Sequence, residues 1–91
     1  MLNNNIHFDF KLDTTGLFCP VPIIHLKKKV NELTQNDILL MITTDPSFAI
    51  DCKVYIRQSG HKLLQSWQNG EQYYYILKKS EYNKRLMVGD L

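Results

Sequence analysis

Residues 38–42 read Ile38-Leu39-Leu40-Met41-Ile42, five apolar positions in succession with no polar residue between them. A strand wetted on one face alternates apolar with polar. An unbroken run of this length instead predicts a central strand covered on both faces, or nearly so. Its flanks must supply the cover. Upstream, Ile23, Leu26, Val30 and Leu33 recur at spacings of three and four, one apolar stripe on a helix predicted from Pro20 to about Thr34. His25, Lys28, Lys29 and Glu32 lie off that stripe, and the polar group Thr34-Gln35-Asn36-Asp37 ends the helix. Earlier still, Phe8, Phe10 and Leu12 alternate with Asp9, Lys11 and Asp13, the pattern of a half-buried strand, which Thr14-Thr15-Gly16 closes.

Downstream, Asp45-Pro46 predicts a cap followed by proline at the first helical position. A second helix is expected over about 47–59, with Phe48, Cys52, Tyr55 and Ile56 inward and Gly60 as a left-handed stop. Two strands, 61–68 and 71–79, are then joined by Asn69-Gly70, the strongest short hairpin signal. A turn there sets Trp67 against Gln72, Gln65 against Tyr74 and Leu63 against Ile76. Tyr73, Tyr75 and Leu77 are expected inward, which leaves Trp67 and Tyr74 for the opposite face.

The order is therefore β-α-β-α-β-β. The first two strands are joined through a helix, so they should be parallel with a right-handed crossover, and the last two antiparallel. Two helices can cover only one side of such a sheet. The expected fold class is α/β: a two-layer α/β sandwich, with a four-stranded mixed sheet and both helices on one face. Residues 8–79 make the domain, 1–7 a flexible N-terminus and 80–91 an appended tail.

Composition excludes several function classes. With 91 residues, 44% hydrophobic and 22% charged, the chain suits one ordinary globular domain. A formal net charge of +2 is too mild to mark a nucleic-acid binder. No apolar run is long enough to span a membrane. The opening MLNNNIHFDF lacks the basic-then-apolar layout of a secretory signal, so a cytoplasmic location is expected, with Cys19 and Cys52 as thiols. His7, His25 and His61 show no metal spacing with each other or with the cysteines, and no metal or cofactor is expected.

The chemistry points to residues 16–22, GLFCPVP. Cys19 is predicted at the N-cap of the first helix, with Pro20 at its first position and Pro22 at its third. The missing N–H groups of the two prolines cost nothing there, because the opening turn has no intrahelical acceptors for them. The prolines stiffen the helix entry and fix where the sulfur points. The partial positive charge of a helix start favours a thiolate, which predicts a pKa of roughly 7–8 rather than about 8.5. A thiol that titrates near ambient pH is an effective attacker in sulfur exchange. No second cysteine stands beside it to eject an adduct as a disulfide. This pattern suits a sulfur carrier or covalent nucleophile better than a dithiol oxidoreductase. Cys52, on the inward stripe of the second helix, reads as a small buried hydrophobe.

The string LDTTGLFCPVP at residues 12–22, together with Asp45-Pro46, Asp51 and GHKL at residues 60–63, resembles the TusA/SirA-like sulfur-carrier family over about residues 8–79. The resemblance implies a two-layer α/β sandwich and a sulfurtransferase role. It makes Cys19 the persulfide-bearing nucleophile, with Gly16, Pro20, Pro22 and Asp45 in support. The implied donor is a cysteine desulfurase and the acceptor a downstream sulfur-relay protein, with 2-thiouridine at the tRNA wobble position as the expected product. Relatives with the same motif serve sulfur oxidation or molybdenum-cofactor biosynthesis. Asp45 should lie on the same sheet edge as Cys19, since both follow parallel strands. There it either caps the second helix, the preferred reading, or raises the thiol pKa by its charge.

Lys27 and Lys28 of the first helix, with Arg57 of the second, form a candidate docking surface, although each alone is an ordinary solvated charge. The basic helix and the aromatic hairpin would also suit an RNA-binding module. Hairpin packing is the simpler account of the aromatics, so no direct nucleic-acid contact is expected. A plain interaction domain is the third possibility. Neither rival requires a thiol where a helix begins.

Overall fold

The apolar run becomes an inner strand. In the computed structural model, which describes residues 7–80, β1 (Phe10–Thr14), β2 (Ile38–Thr43), β3 (Lys62–Asn69) and β4 (Gln72–Lys78) form one sheet in the order β1-β2-β4-β3. Strand β1 pairs with β2 in parallel, while β4 is antiparallel to both β2 and β3. The helices are α1 (Val21–Glu32) and α2 (Phe48–Ser59). Apart from His7 and Ser80, the segments read as a loose N-terminus and a tail lie outside the described residues.

One face of β2 and β4, carrying Leu39, Met41, Tyr75 and Leu77, meets Leu26, Val30 and Leu33 at α1 and Phe48 and Cys52 from α2 in the main core. Both helices thus cover the same side. Met41 and Leu26 are completely buried, and each such side chain contributes about 1.5–3 kcal/mol by leaving water. Phe48 meets the Tyr75 ring edge-on at 5.0 Å. The other sheet face holds a smaller cluster of Leu40, Ile42 and Ile76, covered by Ile38, Trp67 and Tyr74. Trp67 lies flat on Tyr74, 5.0 Å away and 3° from parallel. These two cross-strand neighbours, rather than a third helix, make the apolar run of β2 buried on both sides.

Three local readings need correction. Phe8 and Phe10 are exposed rather than half-buried. Phe8 precedes β1, and Phe10 opens this edge strand, where the ammonium of Lys29 from α1 lies 5.6 Å from the centre of its ring. The hairpin turns one residue later than Asn69-Gly70 predicts: Asn69 pairs with Gln72, and Gly70 and Glu71 form the link. Gly70 has φ +66°, which matches the type II′ preference for glycine at the first central position. The slip moves each partner by two, so Trp67 faces Tyr74 and Gln65 faces Ile76, with a bulge between Leu63 and Gln65. A shift of two preserves the faces, so Tyr75 and Leu77 still point inward and Tyr73 packs against the same core. Finally, α1 starts at Val21 with Pro20 as its N-cap, one residue later than expected.

The far ends of the elements are tied together by polar contacts. Asn36 takes φ +75°, which asparagine tolerates, and its N–H donates to the Lys79 carbonyl at 2.6 Å. The Lys79 ammonium donates to the carbonyls of Val30 and Leu33 at 2.9 and 2.8 Å, satisfying the end of α1. Gly60, at φ +84°, stops α2 as predicted.

Candidate functional site

Parallel pairing brings the C-terminal ends of β1 and β2 to one sheet edge, and the two turns that follow are joined there. Thr14 donates its hydroxyl to the Ile42 carbonyl at 2.8 Å. Gly16, at φ +88°, turns its N–H to the Thr44 hydroxyl at 2.9 Å. The Cys19 N–H donates to Asp45 Oδ2 at 2.7 Å. The other oxygen of that carboxylate accepts from the Ser47 N–H at 2.9 Å and the Ser47 hydroxyl at 2.8 Å. Asp45 is thus a clasp: one oxygen holds the cysteine turn, the other closes the turn that opens α2. Of the two sequence readings of Asp45, the preferred one is corrected: it does not cap α2, whose N-cap is Ser47 without a side-chain cap hydrogen bond, and Pro46 stands before the helix rather than at its first position. The charge of Asp45 does bear on the thiol.

The Cys19 thiol is exposed. Its turn is followed by Pro20 as N-cap and by Pro22, which is buried in the first turn of α1. The Cys19–Pro20 peptide bond is cis. The expected lowering of the thiol pKa is not found. Because α1 begins one residue late, the sulfur is not the cap of that helix. It lies against the first turn of α2 instead, with Sγ 3.8 Å from Asp51 Oδ2. Shielding by the turn, the charge of Asp51, the charge of Asp45 and the contact with the Asp51 carboxylate push the Cys19 thiol up; the Ser47 hydroxyl pulls the other way. Burial works against the Asp45 carboxylate, but its three hydrogen bonds hold it below the ordinary carboxylate range. Cys52 behaves as predicted: it is 1% exposed, and burial pushes its thiol up to about 11.

The cysteine turn and the two helices beside it carry exposed apolar side chains. Phe18 is 62% exposed and Ile50 68%, and Leu17, Ile24 and Val54 also face solvent. A shallow groove of about 160 Å³ runs between the helices, lined by Ile23, Lys27, Asp51, Val54, Tyr55 and Gln58. Lys27 enters this groove, its ammonium 5.9 Å from the centre of the Tyr55 ring. Lys28 and Arg57 are exposed and do not line it. Of the residues that sequence reasoning named, Cys19, Gly16, Pro20, Pro22 and Asp45 lie in the two turns at this edge or at the start of α1; it assigned no role to Thr44, Ser47 or Asp51. A usable signal was present for Asp51: it sits in the first turn of a helix that starts at the same sheet edge as the cysteine. Among the described residues no group of His, Cys, Asp and Glu side chains is arranged to hold a metal ion, and no helix is long and apolar enough to cross a membrane.

The family model described as "Sulfurtransferase TusA" matches residues 10–79. The chain is 37% identical over 73 residues to the "Sulfur carrier protein TusA" of Allochromatium vinosum, covering 80% of this chain and 96% of that one. It is 42% identical over 74 residues to the protein of the same description from Pseudomonas entomophila, covering 80% and 92%. A crystal structure of a SirA-like protein from Desulfitobacterium hafniense superposes with a TM-score of 0.70 over 80% of this chain and 100% of that chain; at 16% identity it speaks for the fold.

Proposed function

Because the chain belongs to the TusA sulfur-carrier family, we propose that it is a sulfurtransferase that carries sulfane sulfur on Cys19. The Cys19 thiolate attacks the outer sulfur of a persulfide on a donor cysteine. A new S–S bond forms on Cys19, the donor's S–S bond breaks, and the donor cysteine leaves as a thiolate. An acceptor thiolate then attacks the outer sulfur now on Cys19, and Cys19 leaves as a thiolate in its turn. Neither step consumes an oxidant or reductant.

The observation that carries this reading is the contrast between the two cysteines. Cys19 is exposed on a turn clasped by Asp45, while Cys52 is sealed in the core. A single accessible thiol can hold an outer sulfur without a neighbour that resolves it. The exposed Phe18, Ile50 and Val54 on the cysteine turn and α2 suit transient protein partners: a cysteine desulfurase as donor and a relay protein as acceptor, acting in the cytoplasm toward wobble 2-thiouridine. Lys27, Lys28 and Arg57 are proposed as charged rim contacts, and Gly16, Pro20 and Pro22 as the frame of the cysteine turn.

Incubation with a cysteine desulfurase and cysteine is expected to add one sulfur to Cys19, read by intact mass. Equal loading of Cys19→Ala rejects the assignment. Thiouridine content of bulk tRNA in cells lacking the protein, rescued by wild type but not by Cys19→Ala, tests the product. Intact loading with unchanged thiouridine would send the sulfur to a different pathway.

A further inference from the structure

Two carboxylates and one thiol share the edge where the cysteine turn meets α2. Asp51 Oδ2 lies 3.8 Å from Cys19 Sγ, and Asp45 holds the Cys19 backbone. Among the described residues neither carboxylate forms an ion pair; the pairs present are His7 with Asp9 and Lys29 with Glu32. Lys27 lines the same groove as Asp51 without closing on it. Among the described residues, the groups facing the sulfur are thus Asp51 from α2 and Asp45 and the Ser47 hydroxyl from the turn before it, with no cation.

This arrangement opposes the chemistry proposed for Cys19. Both half-reactions place negative charge on that sulfur, once as the attacking thiolate and once as the leaving thiolate. An unpaired carboxylate at this distance disfavours both. A cation brought to Asp51 would remove the opposition and pair with the carboxylate as well. We infer that Asp51 is a positioning residue that keeps Cys19 subdued in the free protein, and that the surface beside it receives a basic side chain from the sulfur-exchanging partner, which releases the thiolate only in the docked state. This rests on the sulfur-carrier reading, but its test needs no sulfur transfer. It also gives the site a specificity: disulfides or persulfides flanked by lysine or arginine react, and those flanked by acidic groups are repelled.

Two measurements on the full chain test it. The first is the pH profile of Cys19 alkylation by iodoacetamide. Asp51→Asn should raise the rate at pH 7 about three- to sixfold, the size of one unit charge at this separation in water-like surroundings with modest salt screening. It should also move the midpoint to lower pH, and Asp51→Glu should restore the wild-type profile. The second is thiol exchange of the wild type, at low ionic strength, with disulfides of three charges: cystamine (cationic), 2-hydroxyethyl disulfide (neutral) and dithiodipropionate (anionic). After correction for intrinsic reactivity against free cysteine, the rates should fall in that order, and 0.5 M salt should compress the series. An unchanged alkylation profile in Asp51→Asn, or a flat charge series in the wild type, overturns the inference. The wild-type series keeps the test decisive even if Asp51→Asn folds poorly. Failure of desulfurase loading with these results intact would instead remove the sulfur-carrier reading.

Discussion

Replacing Asp45 by alanine should loosen the site and the fold together. The carboxylate accepts from the Cys19 N–H at 2.7 Å, the Ser47 N–H at 2.9 Å and the Ser47 hydroxyl at 2.8 Å. At about 1 kcal/mol net each, full loss costs about 3 kcal/mol. Ser47 is exposed, so water recovers part of its share, and Asp45→Ala should cost about 1.5–3 kcal/mol. For a domain of this size that is a fall in Tm of roughly 6–24 °C. Asp45→Asn keeps an acceptor oxygen and should lose less. The acid dependence has a definite sign. Hydrogen bonds hold the Asp45 carboxyl below its ordinary value, so the unfolded chain takes up its proton first. The clasp is complete above about pH 4 and is lost as pH falls through the native value. Urea titrations followed by circular dichroism at several pH values measure this directly. A loss under about 0.5 kcal/mol at pH 7, or a wild-type-to-alanine gap that does not narrow in acid, would refute the clasp.

Three further outcomes follow from the packing. Native protein at pH 8 should take up one equivalent of alkylating reagent, at Cys19, and Cys19→Ser should take none until denaturant is added, because burial pushes the Cys52 thiol up to about 11; peptide mapping reads the sites. Leu26→Ala empties a completely buried position between α1 and the sheet and should cost about 2–5 kcal/mol by urea unfolding. His61 is buried, its Nδ1 accepts the Ser80 N–H at 3.1 Å, and burial and Lys79 hold its pKa below 6.5. Its contribution is therefore full above about pH 6.5 and declines as pH falls from there toward the native value. The urea midpoint should drop between pH 7 and pH 5, and His61→Gln should flatten that drop.

Much of this was legible in the sequence because the decisive signals are local. The stripe Leu26, Val30, Leu33 packs into the main core with Leu39 and Met41 of the unbroken run, while Leu40 and Ile42, with Ile38 partly buried beside them, fill the cluster on the other sheet face, as a run covered on both sides requires. The hairpin was placed, but its register was not: Asn69-Gly70 and Gly70-Glu71 both supply a glycine for a two-residue link, and only the cross-strand packing of Trp67 on Tyr74 separates them. Phe8 and Phe10 alternate like buried residues yet are exposed, since alternation reports a pleat and not what covers it. At the site, Cys19 and Asp45 were readable because parallel strands bring their turns to one edge. The neighbour that sets the sulfur's charge environment, Asp51, lies 32 residues away in the chain. The expected direction of the thiol pKa is reversed by shielding in the turn and by the carboxylates of Asp51 and Asp45, none of which the local pattern around Cys19 reports. The one-residue delay in the start of α1 comes with Pro20, whose φ of −97° and ψ of +13° place it just outside the helix.

The pairing of Trp67 with Tyr74 has a practical consequence. The chain holds a single tryptophan, and it lies flat against that tyrosine on the outer side of the sheet, while the sulfur is held on the helical side. Intrinsic fluorescence is therefore an unlabelled optical gauge of sheet integrity, spatially divorced from the thiol. Emission and intact mass, recorded on one sample, separate a variant that has lost its shape from one that has lost only its cargo.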